Sequence, residues 1–584
     1  MLTTHSLSAD AFAALAEGAG DDDVVRELRE AQLSKNLLLL RVLAEAAEGD
    51  NPSAVAFRAG YQLLAAAQGT DPAAVARLLS LPHVGSWAHH CLASIDIRTP
   101  PDLGYLAAVG ATAAIRLGMP FDLHAPVRNG RMALPGLGCL QGLGQEEWVR
   151  LSSDGRRLSV GRDIDMACAD LVPADGPAAA DPHWQGTARV RAMADGQAWE
   201  VLLETTDSHL DRFALPMLTA LTAAEFAQWR RLIQSAWELL VRHHSWVAGA
   251  IAEGVPVIVP LMPRSDLDSA TSPAAFGAIA TSVPPSAESM AETLVHEFMH
   301  TKLCGLMDML RLIEPSAERG YAPWRDDPRP MGGMLQGAYA FAGIVRFWDV
   351  QRRLKTKPDD ILRANVLFGR WRQAIDLTTG TLLGSGLLTP AGVDFVATLR
   401  ERGQCRDSAA VPPDAAEIAR EIALDNWLTW QLRHTVLDAA ALAALAAAYR
   451  QGAPSTGLAL PAVRFEDDIR KVDSVVRSRL LNMRFQEPRR YRQVTAGPIG
   501  ELGAADALLV RGETTAAVRA YREQLAIEPD PAAWIGLALA VNRLPVTSSQ
   551  QVFATQLPLL FEMHACLADQ EIHADPLELA AWFE

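Results

Sequence analysis

Apolar residues recur every three or four positions through most of the first 120 residues, and this spacing predicts amphipathic helices. Four such stretches begin at Asp22, Asn51, Asp71 and Asp102. Several of these openings place Asp, Asn or Pro where a helix N-terminus is capped. We therefore predict a helical N-terminal region over residues 1–120.

The pattern changes between residues 121 and 215 to short alternating runs that Gly, Pro and Asp interrupt, as in RMALPGLGCL, RRLSVGR and QAWEVLLETT. Alternation over a few residues is typical of half-buried strands. We predict a small β-rich module over residues 121–215, followed by one long helix over residues 222–254.

Two strand patterns, at residues 256–262 and 274–283, precede the helical stretch SMAETLVHEFMHTKLCG at residues 289–305. This order is expected of a zincin-like site, where an edge strand runs beside the active-site helix. Helical spacing returns from residue 331 to about residue 452. We predict a core over residues 216–486 that carries an HExxH helix beside a small sheet, within an α+β, mostly α-helical fold.

The last hundred residues predict a helical cap. Residues 487–503 read as a linker, and residues 487–584 form the predicted cap. Gly512, Ala517, Tyr521, Leu525 and Pro529 match tetratricopeptide positions over about one and a half repeats. An independent solenoid usually needs about three repeats, so we expect a tetratricopeptide-like cap, with ordinary helical packing as the alternative.

Composition excludes several functional classes. The formal net charge of -16 disfavours non-specific binding to nucleic acid or membrane surfaces. The six cysteines stand singly, which argues against a disulfide framework and an iron–sulfur cluster. No run approaches the roughly 18–20 apolar residues of a membrane span, and the N-terminus lacks a secretory pattern. We expect a cytoplasmic protein.

The HExxH motif is the strongest chemical signal in the chain. On a helix, His296 and His300 lie on one face and can present both imidazoles to one metal ion. Glu297 could then act on a metal-bound water or support a ligand. The plain alternative is a pair of helix histidines with structural partners.

The residues beyond the motif do not complete a known zinc peptidase pattern. Leu303 and Leu306 stand where a metzincin needs Gly and the third ligand. The next long helix offers Gln336 and Asp349 but no Glu, as a gluzincin would require. Asp308 would lie roughly 12 Å along the helix from His300, which is too far for one ion.

A dense charged loop follows the motif. Arg325, Asp326, Asp327 and Arg329 stand beside Trp324 and between prolines that stiffen the backbone. Such a loop could direct an Asp to a metal and an Arg to a carboxylate. A surface ion-pair loop is an equally good interpretation of this spacing.

A second polar pair, Arg433 and His434, emerges from the otherwise apolar helix DNWLTWQLRHTV. A lone histidine in such a position is more often hydrogen-bonded structure than a metal ligand. We keep His434 as an alternative ligand behind the two aspartates.

Several segments together resemble a known family, and the resemblance runs over nearly the whole chain. They are HSLSADAFAALAEG, AFGAIATSV, AETLVHEFMHTKLCGLMDML, YAPWRDDPRPMGGMLQGAYAFAGIVRFW and the tetratricopeptide-like tail. They resemble the HExxH-type peptide-modification proteins, which are alpha-ketoglutarate-dependent peptide beta-hydroxylases. These occur alone or fused to radical-SAM enzymes, and this chain resembles the standalone form.

The resemblance implies a Fe(II) ion held by His296 and His300, with alpha-ketoglutarate and O2 as cosubstrates. It implies hydroxylation of a β-carbon in a ribosomally synthesised precursor peptide, and it suggests a radical-SAM peptide-modifying enzyme as a further partner. Glu297 would orient a ligand or water. Asp326 is the preferred third ligand, and Asp327 and His434 remain alternatives.

The keto acid requires a basic partner for its distal carboxylate. The candidates are Arg325, Arg329 and Arg433, in that order, with Gln336 as a further cosubstrate contact. Two other functions remain open at this point. One is a cytoplasmic zinc metallopeptidase that uses Glu297 as its general base, and the other is a peptide-binding protein with a degenerate metal site.

Overall fold

The computed structural model describes residues 5–173, 175–176, 181–210, 213, 215–263, 268–403, 405, 408–497, 503–545 and 548–584. These residues are mostly helical with several small sheets, as the predicted α+β class requires. The chain divides into two compact units, Met1–Arg311 and Leu312–Glu584. This boundary lies inside the predicted core of residues 216–486.

The first unit begins with the expected helices. They are α1 (Ala9–Ala16), α2 (Asp22–Ala46), α3 (Pro52–Thr70), α4 (Pro72–Leu79), α5 (Pro82–Asp96) and α6 (Tyr105–Leu117). The helical pattern that begins at Asp71 continues to residue 95 and predicts one helix. That prediction is wrong, because the structure has two helices here and the second begins at Pro82. The proline ring and its missing N–H disfavour helix continuation, whereas proline fits a first helical turn.

Helices α3 and α6 pack at unusually close range. A Cβ atom added to Gly60 of α3 would lie 2.3 Å from the carbonyl oxygen of Leu106 in α6. Gly110 of α6 faces the backbone of Gly60 in the same contact. Only glycine, which has no Cβ atom, permits this approach. Both helices contribute to a large apolar core that also includes residues of the β-rich part of the unit.

The β-rich module contains short strands in two antiparallel sheets, with strand orders β1-β4-β5-β6 and β2-β3-β7. Strands β8 and β9 form an antiparallel pair in a third sheet. The elements are β1 (Pro120–Pro126), β2 (Met132–Leu134), β3 (Gly138–Leu140), β4 (Trp148–Asp154), β5 (Arg157–Val160), β6 (Ile164–Ala167), α7 (Cys168–Leu171), β7 (Trp184–Gly186), β8 (Ala188–Ala194) and β9 (Gln197–Leu203).

The rest of the first unit completes the third sheet and adds the motif helix. It contains α8 (Ala223–His243), α9 (Ser245–Gly254), β10 (Val257–Pro260), β11 (Ser269–Thr271), β12 (Ala278–Thr281) and α10 (Ala287–Met309). The sheet order is β11-β12-β10-β9-β8, so β11 is an edge strand. The single long helix predicted for residues 222–254 is wrong, because His244 leaves helical geometry and separates α8 from α9.

In its described residues, the second unit is mainly helical and contains two small antiparallel strand pairs, β13-β14 and β15-β16. Its elements are β13 (Arg319–Gly320), β14 (Arg329–Pro330), α11 (Met331–Leu354), α12 (Pro358–Gly384), α13 (Pro390–Arg402), α14 (Pro413–His434), β15 (Thr435–Leu437), α15 (Ala439–Arg450), β16 (Val463–Phe465), α16 (Val475–Gln486), α17 (Pro488–Thr495), α18 (Ala504–Arg511), α19 (Thr514–Leu525), α20 (Pro531–Asn542), α21 (Ser548–Ala568) and α22 (Pro576–Trp582).

The predicted C-terminal cap shares its apolar core with helices of the predicted catalytic core. One cluster of buried side chains contains Val366 and Leu428 together with Leu509, Trp534 and Leu560. The predicted linker is partly helical, because α17 begins at residue 488, and residues 498–502 lie outside the described residues. Within the described ranges, every helix is too short or too polar to traverse a bilayer.

Candidate metal centre

The two motif histidines lie one turn apart on α10. The Ser286 hydroxyl caps this helix by accepting from the backbone N–H of Ser289. The rings of His296 and His300 meet edge to face with their centroids 4.9 Å apart. Burial, and then the neighbouring His300, lower the pKa of His296 to about 3. Its imidazole is therefore neutral near pH 7, which is the form that binds metals.

The carboxylate of Glu297 is anchored to the edge strand beside the helix. The side chain is 3% exposed, and the Ser269 hydroxyl of β11 donates to its Oε1 at 2.7 Å. Burial raises the pKa of Glu297, whereas His300 and the hydroxyls of Ser269 and Thr271 act in the opposite direction. Helix α10 packs on both β11 and β12, so the motif and the sheet edge form one assembly.

Other polar side chains of α10 hold the helix against the N-terminal helices. Lys302 is 1% exposed, and its Nζ donates to the carbonyl of Ala19 at 2.7 Å, just past the C-terminus of α1. Asp308 accepts from Lys35 and Gln32 of α2, both at 2.8 Å. Asp308 therefore pairs with side chains of α2.

Among the described residues, no three His, Cys, Asp or Glu side chains converge in a way that could hold a metal ion. The described donors near the motif include the two imidazoles and the anchored carboxylate of Glu297. This set suits two of the positions of a metal site and leaves the third predicted ligand open.

The predicted ligand Asp327 is held by two arginines of its own loop. Its Oδ1 lies 2.9 Å from Nε of Arg325, and its Oδ2 lies 3.1 Å from the guanidinium of Arg329. Burial raises the pKa of Asp327, but the hydrogen bonds from Arg329 and Arg325 outweigh it and hold this pKa below its ordinary value. The preferred keto-acid partners are therefore already paired with a carboxylate.

The predicted ligands Asp326 and His434 contact each other through the backbone. Nε2 of His434 lies 2.6 Å from the carbonyl oxygen of Asp326, whose side chain is exposed. Nδ1 of His434 lies 2.9 Å from the carbonyl of Glu466 and 3.1 Å from the amide nitrogen of Asp468. Both nitrogens of this 1%-exposed ring thus engage backbone groups, which is the arrangement of a structural histidine.

The remaining predicted residues lie on helices of the second unit. Arg433 is 32% exposed and 4.0 Å from Asp468, and its buried Nε has no hydrogen-bond partner among the described residues. Gln336 is half-buried on α11. Of the three predicted arginines, Arg433 has the weakest carboxylate contact.

A close contact fixes the base of the charged loop. A Cβ atom added to Gly337 of α11 would lie 2.3 Å from the Trp324 ring, and that ring stacks on Phe341 with centroids 4.9 Å apart. The loop of residues 325–329 therefore starts from an indole packed flat on a helix.

Sequence reasoning missed Ser269 and Thr271, the two hydroxyl partners of Glu297. They lie 28 and 26 residues before the glutamate, on a strand that was not predicted. The predicted strands at residues 256–262 and 274–283 correspond to β10 and β12. The three-residue β11 is too short to show alternation, so no local pattern marks it.

No family model matches the chain, and a comparison with curated proteins found no match.

Proposed function

We propose that this chain is a Fe(II)- and alpha-ketoglutarate-dependent oxygenase that hydroxylates a β-carbon of a residue in a ribosomally synthesised precursor peptide. The observation that carries the proposal is the pair of imidazoles on α10, with the adjacent glutamate tied to an edge strand. The family that the sequence resembles supplies the reaction class.

In this proposal His296 and His300 hold the metal through imidazole nitrogens, and the low pKa of His296 keeps its own ring neutral near pH 7. The third ligand is Asp326, with Asp327 and His434 as alternatives. If iron, alpha-ketoglutarate and O2 were bound there, they would supply the oxidising power: one oxygen atom would enter the peptide and the other would enter succinate, with loss of CO2. Two protein imidazoles leave several coordination positions for the cosubstrates.

Glu297 acts as a positioning residue in this scheme. Its carboxylate accepts a hydrogen bond from the Ser269 hydroxyl. This bond holds the side chain against β11 and restricts its rotation. A carboxylate held by hydroxyl donors can keep the neighbouring metal ligands in a fixed orientation. This favours an orienting role over the role of a mobile base that must receive and release protons.

The peptide has a natural place along β11 in this proposal. An edge strand offers backbone N–H and C=O groups to an extended peptide, which can add as a further strand. β11 also carries the two hydroxyls that hold Glu297. A peptide on this edge would therefore lie next to Glu297, which directly follows His296 in the motif.

The keto acid requires a guanidinium for its distal carboxylate. Arg325 and Arg329 would exchange the carboxylate of Asp327 for that of the cosubstrate. Arg433 could accept it with a smaller loss, because its ion pair with Asp468 spans 4.0 Å. Gln336 is the proposed further contact to the cosubstrate.

The test is anaerobic reconstitution of the purified protein with Fe(II), followed by alpha-ketoglutarate, O2 and the precursor peptide encoded beside it. We expect succinate and a peptide heavier by about 16 Da. The matched controls are His296→Ala and His300→Ala, which should lose iron and turnover together, and His434→Asn, which tests the alternative third ligand. Stoichiometric iron without succinate and without a mass change would overturn the proposal.

A zinc metallopeptidase is the second candidate, and the raised pKa of the buried Glu297 is the observation that favours it. A carboxylate tuned toward neutral pH beside a metal-bound water is a suitable general base. This function predicts tightly bound zinc and peptide cleavage that does not depend on alpha-ketoglutarate. Mass spectrometry of the same peptide separates the two, because hydrolysis splits it and hydroxylation leaves it whole.

A further inference from the structure

Two neighbouring cavities in the second unit form one groove. Their volumes are about 770 and 960 Å³. Arg420 and Asn542 line both cavities, so the two are continuous at these residues. We name them together the arginine groove, with an aromatic end around Tyr321 and Trp427 and a basic end around α17 and α18.

The arginine groove is basic in a strongly acidic chain. Seven arginines and four carboxylates line it, whereas the whole chain carries a formal net charge of -16. Positive charge is therefore concentrated here against the overall balance. Such a local reversal attracts an anionic ligand and orients it on approach.

Three of these arginines lack a carboxylate partner in the described part of the chain. Arg420 and Arg492 are exposed and form no ion pair there. Arg370 makes a 3.4 Å hydrogen bond to Asn482 and lies 4.5 Å from the Trp371 ring. Burial lowers the pKa of Arg370, which expresses the cost of holding this cation without a counter-charge.

Two more arginines share a single carboxylate at the basic end. Arg484 donates to Oε2 of Glu421 at 2.6 Å, and Arg543 donates to Oε1 at 2.8 Å. One carboxylate neutralises only one of these two guanidinium groups, so one positive charge remains. The basic end therefore remains cationic after its internal pairing.

The aromatic end adds flat apolar ring surface beside its charged side chains. The rings of Tyr321 and Trp427 lie 4.7 Å apart, and the Tyr321 hydroxyl donates to Oδ1 of Asn426. Phe465 is 38% exposed at the same end. Leucine, methionine and alanine side chains add to this apolar surface, beside charged side chains that include Arg319, Arg370 and Asp376. This surface suits aromatic or aliphatic side chains of a ligand.

We propose that the arginine groove binds an acidic peptide segment, with its carboxylates on Arg420 and the basic end and its apolar side chains on the aromatic end. The apolar lining and the carboxylates within the groove favour peptide side chains over a phosphodiester backbone. Under the proposed function this segment belongs to the precursor peptide, but its binding requires neither metal nor cosubstrate.

The experiment measures fluorescence anisotropy of a short labelled peptide built of glutamate, leucine and phenylalanine, without iron or keto acid. The comparison ligands are the same peptide with lysine in place of glutamate and a single-stranded oligouridylate. Arg420→Glu should weaken binding of the acidic peptide by about threefold to tenfold, and adding Arg492→Glu should weaken it further. Added salt should also weaken it.

The matched control is Arg479→Glu, which reverses an exposed arginine on α16 outside the groove and should leave affinity unchanged. Thermal unfolding of each variant checks that the fold is retained. Equal losses for Arg420→Glu and Arg479→Glu would overturn the proposal, as would equal binding of the lysine peptide. Tighter binding of oligouridylate would make nucleic acid the occupant instead. If the acidic peptide binds here but the separate reconstitution with iron, alpha-ketoglutarate and the precursor peptide forms no succinate, this inference stands and the proposed oxygenase is rejected.

Discussion

Replacing Arg477 by methionine should destabilise the second unit, because this side chain is a buried cation that joins three other helices. It is 1% exposed. Its Nε lies 3.5 Å from Asp425 on α14, and its Nη1 lies 3.0 Å from Asp506 on α18. The same Nη1 donates to the carbonyl of Ala532 on α20 at 2.9 Å.

The expected loss follows from what the substitution leaves behind. Asp425, 4% exposed, would keep a hydrogen bond from Ser478 at 2.5 Å but lose its counter-charge. Asp506 would keep the hydroxyl of Tyr521. Breaking a buried ion pair typically costs about 3–5 kcal/mol. With both carboxylates still partly satisfied, we expect the lower end, about 3 kcal/mol.

The loss should depend on pH in a defined direction. Burial raises the pKa of Asp425 above its ordinary value even though Arg477 lowers it, so removing the arginine raises it further. The folded variant then binds a proton that the unfolded chain releases, and its stability falls as pH rises. The deficit of Arg477→Met should therefore shrink as pH is lowered from about 8 to about 5.

Urea unfolding followed by tryptophan fluorescence measures this loss, and hydrogen exchange read by mass spectrometry locates it in α14, α16, α18 and α20. Arg479→Met, an exposed arginine on the same helix, should stay within about 0.5 kcal/mol of the wild type. Adding Asp425→Asn should restore part of the stability of Arg477→Met. A loss no greater than that of Arg479→Met, or one indifferent to pH, would refute the reasoning.

Three further predictions concern the first unit. Glu297→Gln should slow succinate formation by about 10- to 100-fold without abolishing it if the residue positions a ligand; complete loss would instead indicate a base. Gly60→Ala, whose Cβ would lie 2.3 Å from a backbone oxygen, should lose about 1–3 kcal/mol in thermal unfolding. Gly69→Ala in the same helix meets no atom within 4 Å and should gain about 0.5–1 kcal/mol; equal effects would contradict this. Burial lowers the pKa of His83, but its hydrogen bond to Glu204 at 2.9 Å outweighs burial and raises the pKa overall. The free energy of unfolding should therefore fall as pH rises above about 7. Glu204→Gln should remove that decline.

Local pattern was enough for most helices. The stretch from Asn51 to residue 69 predicts a helix, and α3 spans Pro52–Thr70 behind the Asn51 cap. The errors came at points where one residue changes the backbone path, such as Pro82 and His244. The assignment of iron, keto acid and peptide to this chain stays a proposal that rests on resemblance and on the motif.

The sequence by itself determined that His296 and His300 share a helix face, because side chains four residues apart on a helix point the same way. Only the tertiary structure decided what surrounds them. It brought Ser269 to Glu297 from 28 residues away. Ser269 lies on an edge strand that is too short to show alternating apolar and polar residues in the sequence. It also decided which arginines of a cavity are paired with a carboxylate and which, like Arg420, have no such partner among the described residues. Charge pairing joins side chains far apart in sequence, so the order of residues alone does not contain it in readable form.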